Sequence, residues 1–231
     1  MSDHSNYLKI AIDGPAGAGK STVAREVARR LGIRYLDTGA MYRAITLKVI
    51  REEIDLSDFE NLENMLARTK VDIGDNNRVY LDNEDVTEEI RMKHVNEMVS
   101  PVSTISMVRK RLVKIQQDIA GKSKGIIMEG RDIASRVLPD ADYKFYLDAS
   151  IDERARRRRK EQMEKGITLG EEEVIAEINN RDSIDSGRGD SPLTIVPEAV
   201  VIDTTGMPFE AVVDKIVKTV NKGLFKEKPG E

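Results

Sequence analysis

A glycine-rich segment near the amino terminus constrains this chain more than any other feature. It runs from Gly14 to Ser21 in the pattern GxxxxGKS, directly after the apolar run Leu8 to Ile12 and before a helix-like segment. Glycine permits the tight turn that points several backbone N–H groups inward, and the following helix adds its positive N-terminal end. A turn that only packs closely would not account for Lys20 and Ser21. We therefore predict a nucleoside triphosphate site.

The predicted triphosphate-binding residues are the loop and the first turn of the helix after it. Lys20 supplies a mobile cation, and the hydroxyl group of Ser21 is predicted to ligate Mg²⁺. The spacing of Val23, Val27 and Leu31 predicts a helix that begins at Lys20. The full set is Gly14, Pro15, Ala16, Gly17, Ala18, Gly19, Lys20, Ser21 and Thr22.

Composition narrows the functional classes that remain. The chain has 231 residues, a formal net charge of −4, no cysteine and two histidines, which excludes thiolate metal sites and disfavours a surface built for nucleic acid. The first nine residues lack the apolar core of a signal peptide, and no stretch approaches the ~20 apolar residues that span a membrane. We expect a cytoplasmic protein without membrane or nucleic-acid partners, and a monomer, because no interface signal stands out.

Short apolar runs alternate with helical patterns along the chain. This alternation predicts an α/β fold of the P-loop NTPase type, with a five-stranded parallel sheet flanked by helices. The predicted strands are Leu8 to Ile12, Ile33 to Leu36, Ile126 to Met128, Tyr143 to Leu147 and Ala199 to Ile202.

The pattern changes between residues 62 and 100. Val71 to Ile73 and Val79 to Leu81 flank a turn-rich segment and predict a β-hairpin, which fits poorly between parallel strands. We therefore expect a small inserted subdomain at 62–100 and a P-loop core of 1–61 and 101–231. Ser100-Pro101 is typical of a helix start, with Gly121 as the expected end of that helix.

The acceptor of the phosphoryl group must be inferred from residues outside the loop. The guanine-reading motif of GTPases is missing, and we find no second acidic pair on an apolar strand of the kind that nucleic-acid motors use. Arginines instead accompany short polar motifs at predicted strand ends. Arg181, Asp185 and Arg188 have helical spacing and would share one face, either as a reader of phosphate and hydroxyl groups or as a solvated ion-pair stripe.

A second cluster of cations lies between Arg154 and Lys160, where six of seven residues are basic. This run is compatible with an exposed helix face, with a nucleic-acid contact, or with a lid whose Arg154 and Arg158 clamp a nucleotide phosphate. The absence of interleaved aromatic residues weakens the nucleic-acid interpretation.

Taken together, these motifs resemble the bacterial cytidylate kinases, within the nucleoside monophosphate kinase family, over nearly the full chain. The residues that carry the resemblance are IDGPAGAGKST at 12–22, LDTGAMYR at 36–43, MEGRDI at 128–133, DERARRR from 152 and NRDSIDSGR at 180–188. It implies an inserted substrate-side subdomain, a short lid at about 154–190, and phosphoryl transfer from ATP with Mg²⁺ to CMP and dCMP. Kinases for UMP or AMP, and a P-loop protein that binds nucleic acid, are the alternatives.

The resemblance also implies roles for individual residues. Asp132, Arg109 and Ser100 would contact the cytosine base, and Arg181 and Asp185 the ribose. Arg43, Arg131 and Arg188, with Thr38 nearby, would hold the acceptor phosphate, and Arg154 and Arg158 would close over ATP. Lys20, Arg131 and Arg188 would act as the catalytic cations. No general base is expected, because the acceptor phosphate is largely dianionic at neutral pH.

Overall fold

The computed structural model describes residues 8–74, 77–164, 166 and 170–226. Five parallel strands form the central sheet, which confirms the predicted fold class and all five predicted strands. These strands are β1 (Leu8–Asp13), β2 (Arg34–Asp37), β6 (Gly125–Gly130), β7 (Tyr143–Asp148) and β8 (Val200–Asp203), and they lie in the order β2-β6-β1-β7-β8. The helices are α1 (Lys20–Leu31), α2 (Thr38–Arg51), α3 (Phe59–Arg68), α4 (Lys93–Thr104), α5 (Ser106–Lys122), α6 (Ile151–Glu164), α7 (Glu171–Gly187) and α8 (Phe209–Lys226).

Alternate side chains of the strands face two separate apolar layers. Ile10 and Ile12 of β1 pack with α1 and α8, whereas Ala11 between them packs on the other side, with α2 and α5. All three residues are fully buried, as expected for a central strand that helices cover on both faces. Because the strands are parallel, their carboxyl ends meet at one edge of the sheet, where α/β proteins bind ligands.

The predicted hairpin is confirmed and extends to a three-stranded antiparallel sheet. Its strands are β3 (Val71–Ile73), β4 (Val79–Leu81) and β5 (Glu84–Asp85), in the order β3-β4-β5. Asp75 and Asn76 of the predicted turn lie outside the described residues. The apolar side chains of this sheet belong to the same buried cluster as those of α2 and α5. The small sheet is therefore anchored on the main core through its apolar face.

The prediction of one helix that starts at Ser100 and ends at Gly121 is wrong at both ends. Helix α4 begins at Lys93 and runs through Pro101, and a separate helix begins at Ser106 after an extended residue, Ile105. The missing N–H of Pro101 removes one hydrogen bond from α4, but Val95, Val99 and Val102 bury one stripe on both sides of it. Packing thus overrides the local helix-start signal. Gly121 does not end the second helix, which continues to Lys122.

No helix within the described ranges is both long enough and apolar enough to cross a lipid bilayer.

Candidate functional site

The glycine-rich loop lies at the carboxyl edge of the sheet, between β1 and α1. Gly17 and Gly19 have φ values of 77° and 85°, which few residues other than glycine adopt readily. A Cβ atom on Gly14 would come within 2.0 Å of the carbonyl oxygen of Leu147 on β7. The loop is thus held closely against the sheet, and α1 begins at Lys20 as predicted, with its first N–H groups at the loop.

Lys20 is buried, and its Nζ atom donates a hydrogen bond of 2.7 Å to the carbonyl oxygen of Pro15. Burial and the guanidinium groups of Arg131 and Arg181 lower its pKa, although Glu129 partly opposes them. A bound phosphate would give this ammonium group a negatively charged partner.

The remaining predicted loop residues are placed by local bonds. Thr22 is exposed, and its hydroxyl group donates to the carbonyl oxygen of Gly19 at 3.0 Å. The N–H of Ala16 donates to Asp182 of α7 at 3.1 Å. Helix α7 therefore contacts the glycine-rich loop directly.

An acidic pair that the sequence analysis missed lies beside Ser21. The hydroxyl group of Ser21 donates to Glu129 Oε1 at 2.6 Å, and Glu129 at the end of β6 stands in register with Asp37 at the end of β2. Burial, followed by the charge of Asp37, raises the pKa of Glu129. The hydroxyl group of Thr38 donates to the backbone oxygen of Glu129 at 2.8 Å, so Thr38 fixes β6 to α2.

Four guanidinium groups from four different segments lie near one another, and two of them, those of Arg131 and Arg181, also lie near Lys20. They belong to Arg43 on α2, Arg131 after β6, Arg158 on α6 and Arg181 on α7. Burial and the other three arginines lower the pKa of Arg181 to about 9, which still leaves it charged at neutral pH.

Few carboxylates balance these four arginines, which we call the arginine cluster. Arg131 Nε donates to Asp185 at 2.7 Å and Arg158 Nη1 donates to Glu161 at 3.2 Å, whereas Arg43 Nε donates to the uncharged amide oxygen of Asn96 at 3.2 Å. The Nε atom of Arg181 is buried and has no hydrogen-bond partner. A buried donor without a partner is costly, so the cluster is suited to receive an anion with several acceptor oxygens.

A second polar group lies next to the arginine cluster and combines Arg109, Asp132 and Arg188. Arg109 and Asp132 form a salt bridge in which both side chains are buried. Arg188 approaches the other oxygen of Asp132 at 4.0 Å and Asp185 at 3.5 Å. Its buried Nη2 atom has no hydrogen-bond partner. The carboxylate of Asp132 is thus held between two arginines, although burial raises its pKa.

The prediction that Arg181, Asp185 and Arg188 share one face of a helix is only partly correct. Arg181 and Asp185 lie on α7, but this helix ends at Gly187, and Arg188 has an extended backbone with ψ of 139°. Arg188 still points toward Asp185, because its Nε atom donates to the carbonyl oxygen of Ser191 at 2.6 Å and so fixes the side chain. The three residues are brought together by a turn after the helix.

Tyr42 is a further residue of this region that sequence reasoning missed. The guanidinium group of Arg109 lies over its ring, 5.7 Å from the centroid, which is within the range of a cation–π contact. Ser100 lies half-buried on α4, where its backbone oxygen accepts a hydrogen bond of 2.8 Å from Ser103.

The arginine-rich helix α6 uses its cations in three different ways. Arg154 is buried and donates to the carbonyl oxygens of Ala149 and Ala16, at 3.1 Å each, and to Asp182. Arg157, which the sequence analysis did not select, donates to the side chain and the carbonyl oxygen of Thr204 at 3.0 and 2.8 Å. Arg158 belongs to the arginine cluster. Of the two predicted lid arginines, Arg154 is therefore hydrogen-bonded to the glycine-rich loop.

Nucleotide binding is expected to make the protein take up protons near pH 8. Because burial and neighbouring arginines lower the pKa of Lys20 in the ligand-free state, a bound polyphosphate should raise this pKa and drive protonation at about pH 8. Titration calorimetry with ADP, in buffers of different ionisation enthalpy, measures the protons taken up. The Lys20→Met variant should lose this uptake, and equal uptake by both proteins would contradict the assignment.

Comparison with known proteins places the chain within one family. A family model described as cytidylate kinase matches residues 10–222. The cytidylate kinase of Caldanaerobacter subterraneus subsp. tengcongensis is 54% identical over 220 residues, 95% of this chain and 97% of that protein. The cytidylate kinase of Clostridioides difficile is 48% identical over 214 residues, 93% of this chain and 98% of that protein.

A solved structure supports the fold independently of sequence. An uncharacterized protein from Eubacterium ventriosum superposes with a TM-score of 0.52 at 13% identity, and the match covers 94% of this chain and 99% of that one. At this identity the likeness concerns the fold alone. The family model and the two close relatives extend over almost the whole sequence, so the chain belongs to the cytidylate kinase family.

Proposed function

We propose that this protein transfers the γ-phosphoryl group of ATP to CMP, and also to dCMP, giving ADP with CDP or dCDP. The observation that carries the proposal is the position of the arginine cluster. Its members Arg131 and Arg181 lie near Lys20 of the glycine-rich loop, and Arg131 donates to Asp185, which Arg188 beside the buried Asp132–Arg109 pair also approaches. A triphosphate on the loop and a monophosphate held by Arg43, Arg131 and Arg188 would place donor and acceptor groups side by side.

The reaction then needs positioning and charge neutralisation rather than a proton acceptor. The second pKa of a phosphate monoester is about 6, so the acceptor oxygen is already unprotonated at neutral pH. The obstacle is the repulsion between two polyanions. Lys20 and the arginines, above all Arg131 and Arg188, would neutralise this repulsion and stabilise the charge on the transferring group.

Mg²⁺ fits the oxygen atoms beside the loop. No group of three or more acidic, histidine or cysteine side chains suited to a metal occurs in the part of the chain that the structure describes. Mg²⁺ in kinases, however, is commonly held by few protein oxygens together with phosphates and water. Ser21 would contact the ion, and Glu129 and Asp37 would accept hydrogen bonds from its water molecules. When bound, the ion screens the charge of the triphosphate.

Asp132 gives the site its base preference. Cytosine presents an N4 amino group, which can donate to a carboxylate, whereas uracil presents a carbonyl oxygen at that position. A carboxylate facing a carbonyl oxygen should cost about 1–3 kcal/mol. Arg109 and Ser100 would complete the contact with the base, and Arg181 and Asp185 would meet the ribose hydroxyl groups.

The lid at about 154–190 would exclude water from the transferring group. Arg158 lies near Arg181 and donates to Glu161 at 3.2 Å, and Arg154 connects α6 with the loop through Ala16. Water that reached the γ-phosphoryl group would be phosphorylated instead of CMP. Residues 62–100 would form the substrate-side subdomain beside Arg43.

A panel of nucleoside monophosphates tests this function directly. CMP, dCMP, UMP and AMP are each supplied with MgATP, and ADP release is measured by a coupled assay. We expect kcat/KM for CMP to exceed that for UMP by about tenfold to a hundredfold, from the cost of the mismatched base edge. Faster turnover with UMP or AMP than with CMP would refute the proposed acceptor.

A further inference from the structure

Asp132 occupies an unusual place for a residue whose carboxylate is to read a base. It is the residue directly before the π-helical turn Ile133–Val137. An aspartate at that position normally accepts a hydrogen bond from the first N–H groups of its own helix. The side chain of Asp132 makes no such bond, and it points to Arg109 instead.

Another aspartate serves the N–H groups of this turn. Asp13, at the end of β1, accepts from the N–H of Ile133 at 2.9 Å through one oxygen and from the N–H of Ala134 at 2.8 Å through the other. Both hydrogen bonds span at least 120 residues of sequence. Ile133 and Ala134 are themselves buried, so water does not take the place of Asp13 at these N–H groups. The turn is therefore capped from a neighbouring strand.

The ionisation of Asp13 fits this role. Burial raises its pKa to about 6, and the two N–H groups oppose the increase. The nearby charges of Asp132 and Lys20 act in opposite directions. Asp13 is therefore mostly ionised at neutral pH and accepts through both oxygens.

We propose that Asp13 is a positioning residue that caps the 133–137 turn in place of Asp132 and thereby leaves the Asp132 carboxylate available to the substrate base. The inference rests on the proposed function, because it concerns how the base is read. Without the oxygens of Asp13, two buried N–H groups lose their acceptors. The nearest carboxylate along the chain is that of Asp132 itself. Its rotation onto the turn would withdraw it from Arg109 and from the base.

The test compares Asp13→Asn and Asp13→Ala with the wild type, using CMP and UMP as acceptors. The asparagine side chain keeps one acceptor oxygen and is the safer variant for folding. We expect the ratio of kcat/KM for CMP to that for UMP to fall by about tenfold in Asp13→Ala and by less in Asp13→Asn, from the typical value of a helix cap. KM for ATP should stay within about threefold of the wild-type value, which is a smaller change than the loss of a helix cap would cause.

A matched control separates positioning from general loss of stability. Asp58 caps α3 by accepting from the N–H of Asn61 at 3.1 Å, on a different helix of the chain. Asp58→Asn should leave the CMP:UMP ratio unchanged. A purely structural role of Asp13 would lower activity on both acceptors equally and would also leave this ratio unchanged, which would overturn the inference.

A double variant tests whether Asp13 acts through Asp132. If it does, adding Asp13→Asn to Asp132→Asn should reduce the CMP:UMP ratio no further, whereas an independent effect would multiply. Multiplying effects would overturn the inference while the proposed function stands. If the wild type itself shows no preference for CMP over UMP, the proposed function fails, and this inference fails with it.

Discussion

Replacing Arg131 by lysine is expected to lower kcat by about two to three orders of magnitude, the range seen when one charge-stabilising donor is lost. Arg131 is fixed by a 2.7 Å hydrogen bond from its Nε atom to Asp185 and by a 3.2 Å hydrogen bond from its Nη1 atom to the carbonyl oxygen of Gly130, so its guanidinium group has a defined orientation near Lys20 and Arg181. Lysine keeps the charge, but it lacks the planar fork that contacts two phosphate oxygens at once. Steady-state kinetics with CMP and MgATP measure the effect.

Arg156→Lys provides the matched control for this variant. Arg156 lies on α6 and is mostly exposed, with its guanidinium group paired to Glu153, so we expect nearly wild-type kinetics. The Arg131→Lys protein should also unfold at nearly the same temperature as the wild type, since the charge is kept. Near wild-type kcat in Arg131→Lys would refute the proposed contact with the acceptor phosphate.

Asp132→Asn is expected to lower kcat/KM for CMP by about tenfold to a hundredfold, while KM for ATP changes little, because the lost charge-assisted hydrogen bond lies only on the acceptor side. The amide group of asparagine can donate to the carbonyl oxygen of uracil. Activity on UMP should therefore fall less than activity on CMP, and the preference between the two acceptors should narrow. Competition between CMP and UMP in one assay measures this preference directly.

The neighbouring residue Asp190 offers the control. It accepts from Ser106 and Ser191 and lies close to the same region, but it makes no salt bridge with Arg109. Asp190→Asn should retain the preference for CMP. If Asp132→Asn weakens ATP and CMP by the same factor, Asp132 does not read the base.

Features of the fold that depend on local patterns could be predicted from the sequence. The loop Gly14 to Ser21 and the five parallel strands follow from glycine placement and from runs of apolar residues, and each is confirmed. The helix start at Ser100-Pro101 was wrong because a local proline signal competes with a valine stripe that extends over both sides of it. The stripe stabilises α4 by burial, which outweighs one lost hydrogen bond.

Contacts that depend on register could not be predicted in this way. Asp37 and Glu129 are adjacent only because β2 pairs with β6, and nothing in the intervening sequence indicates that pairing. Arg157 and Arg158 are adjacent arginines with different partners, and which partner each one meets depends on how α6 is rotated against the loop. From the sequence alone, Tyr42 is indistinguishable from the other apolar residues of α2, and Asp13 is only the polar residue at the end of a strand. In each case the partner is distant in sequence, so a single sequence carries no local signal for it.

The two consecutive residues Arg181 and Asp182 of α7 have different partners. Arg181 joins the arginine cluster, whereas Asp182 accepts from Ala16 and Arg154. One added or deleted residue in the α7 turn just before Arg181 would rotate both side chains by about 100°, since a helix has 3.6 residues per turn. We therefore expect a one-residue insertion or deletion in this turn to separate both side chains from their partners, so that the length of this stretch of helix is fixed by two contacts at once.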